Sequence, residues 1–313
     1  MSADFILYLI INTLIVVLVS PLFVSLVKKV KAWTQGRRGP SVFQTYFTLI
    51  KLLKKEVIYA TGSSWVMRIT PLVNIGALLV AALFVPLAFV PEPVAGIGNI
   101  ILFLYLLALA KFFMALAGLD AGSSFGGMGS SREMSISAII EPTTVIVFAA
   151  LAFVFKSLNI FDMFATSATS GFLSTPTLIL IGISLFIILI VETSRIPVDN
   201  PETHLELTMI HEGMILEQSG RNLALMELSA AIKLTLLMAL LINLIVPFGL
   251  ITVLSAAGLV AAIILFLIKG SILSVIIGLF ESSMAKMRFF RLPSLFAMAF
   301  FFSTLIIIIE VFA

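Results

Sequence analysis

The chain has 313 residues, of which 61% are hydrophobic and 11% charged, and its mean hydropathy is +1.21. A soluble domain carries roughly 25% charged residues, so this composition excludes a soluble enzyme, a nucleic-acid-binding domain and a disordered chain. The net charge of +3 is small; the lack of cysteine excludes disulfides, iron–sulfur clusters and thiolate-bound metals, and two histidines, His204 and His211, are too few for a multi-histidine haem or zinc site.

A membrane helix needs about 20 apolar residues. Eight runs meet that need, at residues 4–28, 68–90, 98–119, 134–155, 176–195, 226–247, 252–278 and 294–312. The first begins with Asp4 and no positive charge and is too long for a cleavable signal, so it reads as a retained helix. The expected fold is all-α: one polytopic membrane domain over residues 1–313, with eight transmembrane helices. Segments 29–67, 120–133, 196–225 and 279–293 share one side, and with their flanks they hold fifteen of the nineteen basic residues; the opposite loops hold only Lys156. Basic loops stay in the cytoplasm. Both termini are therefore expected outside the cell, in a protein of the plasma membrane. No inverted, duplicated half of the kind many transporters carry is visible.

In chain order, the first cytoplasmic loop opens on Gly36-Arg37-Arg38-Gly39-Pro40. Apolar residues then alternate with lysines from Phe43 to Lys55, which predicts an amphipathic helix on the membrane face or against a partner. The stretch Gly122 to Gly129 is glycine-rich but lacks a phosphate loop's Gly-Lys-Ser/Thr ending, so an interhelical turn is expected there.

Charges inside or at the ends of spans carry the functional signal: Lys111, Glu141, Glu192, Glu227, Lys233, Lys269, Glu281 and Glu310. A charge at mid-bilayer costs about 2.5–3.5 kcal/mol even on lenient scales, so it must face protein or water and have a partner. Glu141 precedes Pro142, which removes a backbone donor and kinks a helix. It reads either as a proton-relay carboxylate or as a packing charge paired with Lys111. Lys111 and Lys233 divide evenly between relay partner and structural counter-charge, Lys269 reads as a snorkelling anchor, and Glu310 as solvated. Glu227 and Glu281, at cytoplasmic helix ends, have an interfacial reading beside the relay one.

The strongest local signal runs from Val191 to Leu207. Asn200 caps and Pro201 opens a short helix on which Glu202 and Glu206 share a face. Like charges so placed disfavour joint ionisation, leaving one able to hold a proton near neutral pH. With Glu192, Asp199, Glu212 and Glu217 the segment is acidic, against Arg195 and Arg221. His204 and His211 lie seven apart but have no further metal ligands.

The Gly36–Pro40 run with Gln44 and Ile50-Lys51-Leu52-Leu53, Gly118-Leu119-Asp120 with Ser131-Arg132-Glu133, Glu141-Pro142, the 192–207 loop, Glu217-Gln218-Ser219-Gly220 and Phe280-Glu281-Ser282-Ser283-Met284-Ala285 stand in order along the chain. Together they resemble the eight-helix membrane subunit shared by respiratory complex I, formate hydrogenlyase and energy-converting NiFe hydrogenases, and more closely the hydrogenase branch. The resemblance implies a non-catalytic anchor for a cytoplasmic redox arm. Hydrogenase-type large and small subunits would hold the NiFe centre and Fe–S clusters, this chain would hold neither cofactor nor metal, and antiporter-like subunits would lie beside it in the bilayer. Arg37, Arg38, Asp120, Arg132 and Arg195 would face the arm. Glu141, Glu192, Asp199, Glu202, Glu206, Glu217 and Glu227, with Lys111 and Lys233, would form a proton relay. A quinone-site subunit, a subunit of a sulfur-reducing complex and an independent cation transporter are the alternatives.

Overall fold

The structure is a computed structural model that describes residues 3–90, 98–170, 176–200, 209–251 and 255–312. Its elements in order are α1 (Ala3–Thr34), α2 (Gln44–Leu53), α3 (Trp65–Ala82), α4 (Ile100–Asp120), α5 (Ser124–Phe155), α6 (Ile160–Ser170), α7 (Pro176–Glu192), α8 (His211–Ile215), α9 (Gly220–Ile245), α10 (Ala256–Ser283), a 3-10 turn (Phe289–Arg291) and α11 (Leu292–Phe312). The fold is all-helical; among the described residues extended backbone pairs only in two isolated bridges, Phe89–Ile251 and Asn99–Asn159. Seven segments are long and apolar enough to cross a membrane, carried by α1, α3, α4, α5, α9, α10 and α11, which makes this an integral membrane protein. The remaining expected span, 176–195, is α7, a shorter apolar helix of 17 residues that ends at Glu192.

Helix α9 is the centre of the bundle. Of its most apolar window 78% is buried, against 22% for that of α11; α9 carries Lys233 and Asn243, which must face protein, whereas α11 has no charge before Glu310 and can face lipid. It packs against α1, α3 and α7 within the membrane layer and against α2 at the basic end. Helix α10 lies close along α1 because Gly270 and Gly278 carry no side chain there: a Cβ on Gly270 would run into the Phe23 ring, and one on Gly278 would stand 2.9 Å from Val30. Small residues at such contacts let membrane helices approach closely. The amphipathic helix expected near residues 43–53 is α2. It presents Phe43, Phe47, Ile50 and Leu53 outward, buries Leu49, and is tied to α1 by the Tyr46 hydroxyl, which donates to the Leu18 carbonyl.

Several element boundaries differ from the sequence expectation. The glycine-rich stretch expected as a turn forms the first two turns of α5, capped by Ser123, whose Oγ accepts from Gly126 N at 3.1 Å. Its glycines serve contact: a Cβ on Gly126 would run into the Gly118 carbonyl, and one on Gly129 would meet the Ile210 carbonyl at 2.8 Å. The span expected at 68–90 stops being helical at Ala82. Residues 84–90 run as buried, non-helical chain around Pro86, which supplies no N–H and pushes its predecessor away from helical backbone. Protein groups satisfy several of its backbone polar atoms, as burial requires. Asn12 Nδ2 donates to Ala82 O (2.7 Å) and Val85 O (3.1 Å), Leu87 N donates to Asn12 Oδ1 (3.1 Å), and Asn243 Nδ2 donates to Pro86 O (2.8 Å). Lys269, expected as a structural anchor reaching toward an interface, donates to the Val246 and Phe248 carbonyls at 2.9 Å each, closing the C-terminal end of α9. Helix α6 has no counterpart among the eight expected spans.

Candidate functional site

Where α4, α5, α7 and α9 meet, three buried charged side chains and a half-buried fourth, Lys233, come together. Glu192, the last residue of α7, receives Lys111 Nζ on Oε1 at 2.9 Å and Lys233 Nζ on Oε2 at 2.7 Å, with side-chain exposures of 5%, 5% and 14% for Glu192, Lys111 and Lys233. Glu133 of α5 is also buried and lines the same small cavity. Two cations and two carboxylates thus balance in charge, which is what makes their burial tolerable. The cavity is about 40 Å³ and is completed by Asn74, His211 and polar backbone around Thr193 and Ser194. That is room for water. The expected Lys111–Glu141 pair does not form, because Lys111 turns inward to Glu192. Glu141 is exposed on the outer face of α5, where it borders a groove of about 290 Å³ between α4 and α5; Lys111, Glu192, Tyr105 and Thr144 line that groove too. The Lys111–Glu192 pair therefore stands between the inner cavity and the lateral groove.

A second network lies at the basic end of the bundle. Arg195 Nη1 reaches Glu281 Oε1 at 2.6 Å, and Lys31 Nζ lies 3.6 Å from Glu281 Oε2 while donating to Asn200 Oδ1 at 3.2 Å. Lys286 Nζ contacts Asp199 Oδ1 at 2.6 Å, and Asp199 Oδ2 accepts from the backbone N–H groups of Ile210 (3.2 Å) and His211 (3.1 Å). Asp199 thus fixes the start of α8, and Arg132 Nη1, donating to Met209 O at 3.0 Å, ties the residue just before Ile210 to α5. A chamber of about 140 Å³ adjoins this network, bordered by Lys28, Arg195, His211, Glu212, Glu227 and Glu281. Burial pushes the His211 imidazole below its ordinary range, with the positive charge of Lys233 acting in the same sense and the carboxylates of Glu212 and Asp199 opposing it.

The expected site residues thus fall into separate places. Lys111, Glu192 and Lys233 come together; Asp199 and Arg195 join the second network; Glu227 is half-buried at the chamber wall. Glu217, in the turn between α8 and α9, joins none of these ion pairs. Asp120 Oδ2 accepts from Ser64 N (2.9 Å) and Met67 N (3.0 Å), so it closes the N-terminus of α3. Arg37 and Arg38 are exposed. Glu202, Glu206 and His204 lie outside the described residues. Glu133 and His211, which the sequence offers only within the Ser131-Arg132-Glu133 string and as a histidine without further metal ligands, both line the inner cavity. No group of three or more histidine, aspartate or glutamate side chains able to hold a metal occurs among the described residues.

Residues 6–312 match the NADH dehydrogenase family. The chain is 34% identical to hydrogenase-4 component C of Escherichia coli K12 over 278 residues, covering 89% of this chain and 87% of that one. It is 32% identical to formate hydrogenlyase subunit 4 of the same organism, covering 90% and 91%. It is 29% identical to a subunit of the NADH-quinone oxidoreductase of Wolbachia pipientis over 63% of each chain. The fold is shared with a chain of an archaeal membrane-bound sulfane sulfur reductase, a respiratory membrane complex, at a TM-score of 0.83 and 17% identity over 98% and 99% of the two chains. This chain belongs to the NADH dehydrogenase family and is a complex I-like, hydrogenase-type oxidoreductase subunit of the membrane.

Proposed function

We propose that this chain is the plasma-membrane anchor and ion-coupling subunit of a hydrogenase-like respiratory complex. It seats a cytoplasmic redox arm of large and small subunits, which hold the NiFe centre and Fe–S clusters, and it passes the effect of electron transfer to antiporter-like neighbours in the bilayer. In this reading α7 is the eighth span, both termini lie outside, and the basic end of the bundle faces the cytoplasm. The identities of 34% and 32% to hydrogenase-type subunits over nine-tenths of the chain support the hydrogenase branch.

The observation that carries the coupling role is Glu192 held between Lys111 and Lys233 at 2.9 and 2.7 Å, inside the bundle and between two cavities. A buried, charge-balanced cluster responds strongly to one added or removed charge, because a lone charge at low dielectric is costly. A charge change at the arm side can therefore move protons or cations among Glu192, the two lysines and Glu133, and from there toward Glu141. The basic-end network of Arg195, Asp199, Glu281 and Lys286 holds the start of α8, on which an arm subunit would press.

The test is affinity purification of the complex through this subunit, with nickel and iron analysis, hydrogen evolution and ion uptake into sealed vesicles. Glu192→Gln is expected to abolish uptake while the arm still reduces an artificial acceptor. Because that change leaves an excess buried lysine, the double variant Glu192→Gln/Lys233→Met, which restores neutrality, is expected to recover assembly but not uptake. Uptake at the wild-type rate in either variant would overturn the reading.

A further inference from the structure

The inner cavity and the basic-end chamber are separate spaces, yet their walls share residues. Thr193, Ser194, His211 and Ala230 border both, and among these His211 is the one titratable side chain. The remaining charged groups divide between the two spaces: Glu133, Glu192, Lys111 and Lys233 face the inner cavity, while Lys28, Arg195, Glu212, Glu227 and Glu281 face the chamber. Any proton that passes from the chamber to the buried cluster by side-chain transfer meets this partition. The Thr193 hydroxyl is already committed, donating to Leu189 O at 2.7 Å. The position of His211 is fixed from the backbone, since its N–H is held by Asp199 Oδ2 and its helix α8 is packed on α5 and α4.

We propose that His211 transfers protons between the two spaces that it borders, delivering them from the chamber carboxylates to the buried ion-pair cluster. This rests on the coupling role proposed above and assigns its entry step. A neutral imidazole accepts a proton on one ring nitrogen and donates from the other. In the step, a proton leaves the carboxyl of Glu227 or Glu212, or water beside them, and binds the free ring nitrogen. The proton on the opposite nitrogen then leaves to the Glu133 carboxylate, directly or through water in the 40 Å³ cavity. One proton has moved, no electrons are exchanged, and the imidazole is neutral again in its other tautomer. Glu133 is the fitting acceptor because both carboxylate oxygens of Glu192 already face lysines, whereas Glu133 forms no ion pair among the described residues. The charges around the imidazole are mixed: Asp199 and Arg195 between α7 and α8, Glu212 on its own helix, Glu133 on α5, Lys111 on α4, Glu192 on α7, Lys233 and Glu227 on α9, Lys28 on α1 and Glu281 on α10. Burial and Lys233 favour the neutral ring at neutral pH, the state that can both accept and donate.

The experiment uses the whole complex in sealed vesicles, free of sodium, with proton uptake and artificial-acceptor reduction measured side by side from pH 5 to 9. His211→Gln keeps a hydrogen-bonding side chain but does not titrate. It is expected to lose proton uptake about a hundredfold, the lower end of the range for a positioned acid–base group, with acceptor reduction retained. His211→Ala supplied with imidazole in the buffer is expected to regain uptake, with a pH profile set by the added imidazole. Wild-type uptake in His211→Gln, or an assembled His211→Ala complex that imidazole does not restore, overturns the assignment. Glu192→Gln run in parallel separates the two levels: if it is blocked while His211→Gln pumps, only the entry step is wrong; if both pump, the coupling role itself fails.

Discussion

Glu281 is the residue on which the basic-end network turns. Its side chain is 2% exposed and faces two cations, Arg195 at 2.6 Å and Lys31 at 3.6 Å. Removing one partner of a buried pair is costly because the other charge stays buried and unbalanced, by about 3–5 kcal/mol. Glu281→Gln is therefore expected to lower the thermal midpoint of the detergent-solubilised complex substantially. Lys31→Met is expected to cost less, since Glu281 keeps its shorter contact to Arg195. Equal losses in the two variants would show that distance does not rank these contacts. The same reasoning distinguishes Glu141 from Glu192. Both are carboxylates in apolar helices, but Glu192 has two ammonium partners within hydrogen-bond distance, whereas Glu141 is exposed at a groove rim. The sequence showed that both sit in apolar runs; it did not show which way each points.

At the scale of elements, the contact between α5 and α8 holds His211 in place, and it depends on glycine. A Cβ on Gly129 would stand 2.8 Å from the Ile210 carbonyl and 3.1 Å from Met214 N, both backbone atoms that cannot swing aside; at Gly127, two residues earlier in the same helix, nothing lies within 4 Å. Glycine in an open helix interior is less favourable than alanine by roughly 0.5–1 kcal/mol. Gly127→Ala is therefore expected to be neutral or mildly stabilising, with coupled turnover unchanged. Gly129→Ala is expected to displace α8, lower the thermal midpoint and reduce coupled turnover. Matching behaviour of the two variants would mean that α8 does not bear on α5 as described. Helix identity and rough extent follow from hydropathy alone for α1, α4, α9, α10 and α11. The ends of α3 and α5 do not: the segment after Ala82 is as apolar as a helix yet unwinds where two asparagines supply hydrogen bonds, and the glycines of α5 read as a turn until a neighbouring backbone is seen against them.

For the molecule as a whole, the asymmetry of charge sets the orientation. The chain has no cysteine, so single introduced thiols report cleanly. Ile50→Cys on α2 and Met284→Cys after α10 are exposed positions at the basic end and should react with an impermeant maleimide only from the cytoplasmic side. Leu158→Cys and Phe248→Cys, exposed in the opposite turns, should react only from outside. The reverse pattern would invert the topology, and labelling of positions 50 and 248 from one side with 158 and 284 from the other would remove α7 as a span.

Class, membrane residence, the number of apolar runs and the basic side are written in the chain itself, because hydropathy and charge bias are sums over neighbouring residues and need no tertiary context. The family resemblance was legible for the same reason, since its motifs are local strings. The site was not. Lys111 and Glu192 are 81 positions apart in sequence, and Arg195 and Glu281 are 86 apart. Which of several equally eligible acids meets which lysine is decided by how α4, α7 and α9 are rotated and how deep each sits, and that depends on packing the whole bundle. His211 is the clearest case: alone it is a histidine in an acidic loop, and it becomes the group between two polar spaces only when Asp199 and Gly129 lay α8 across the ends of α4 and α5.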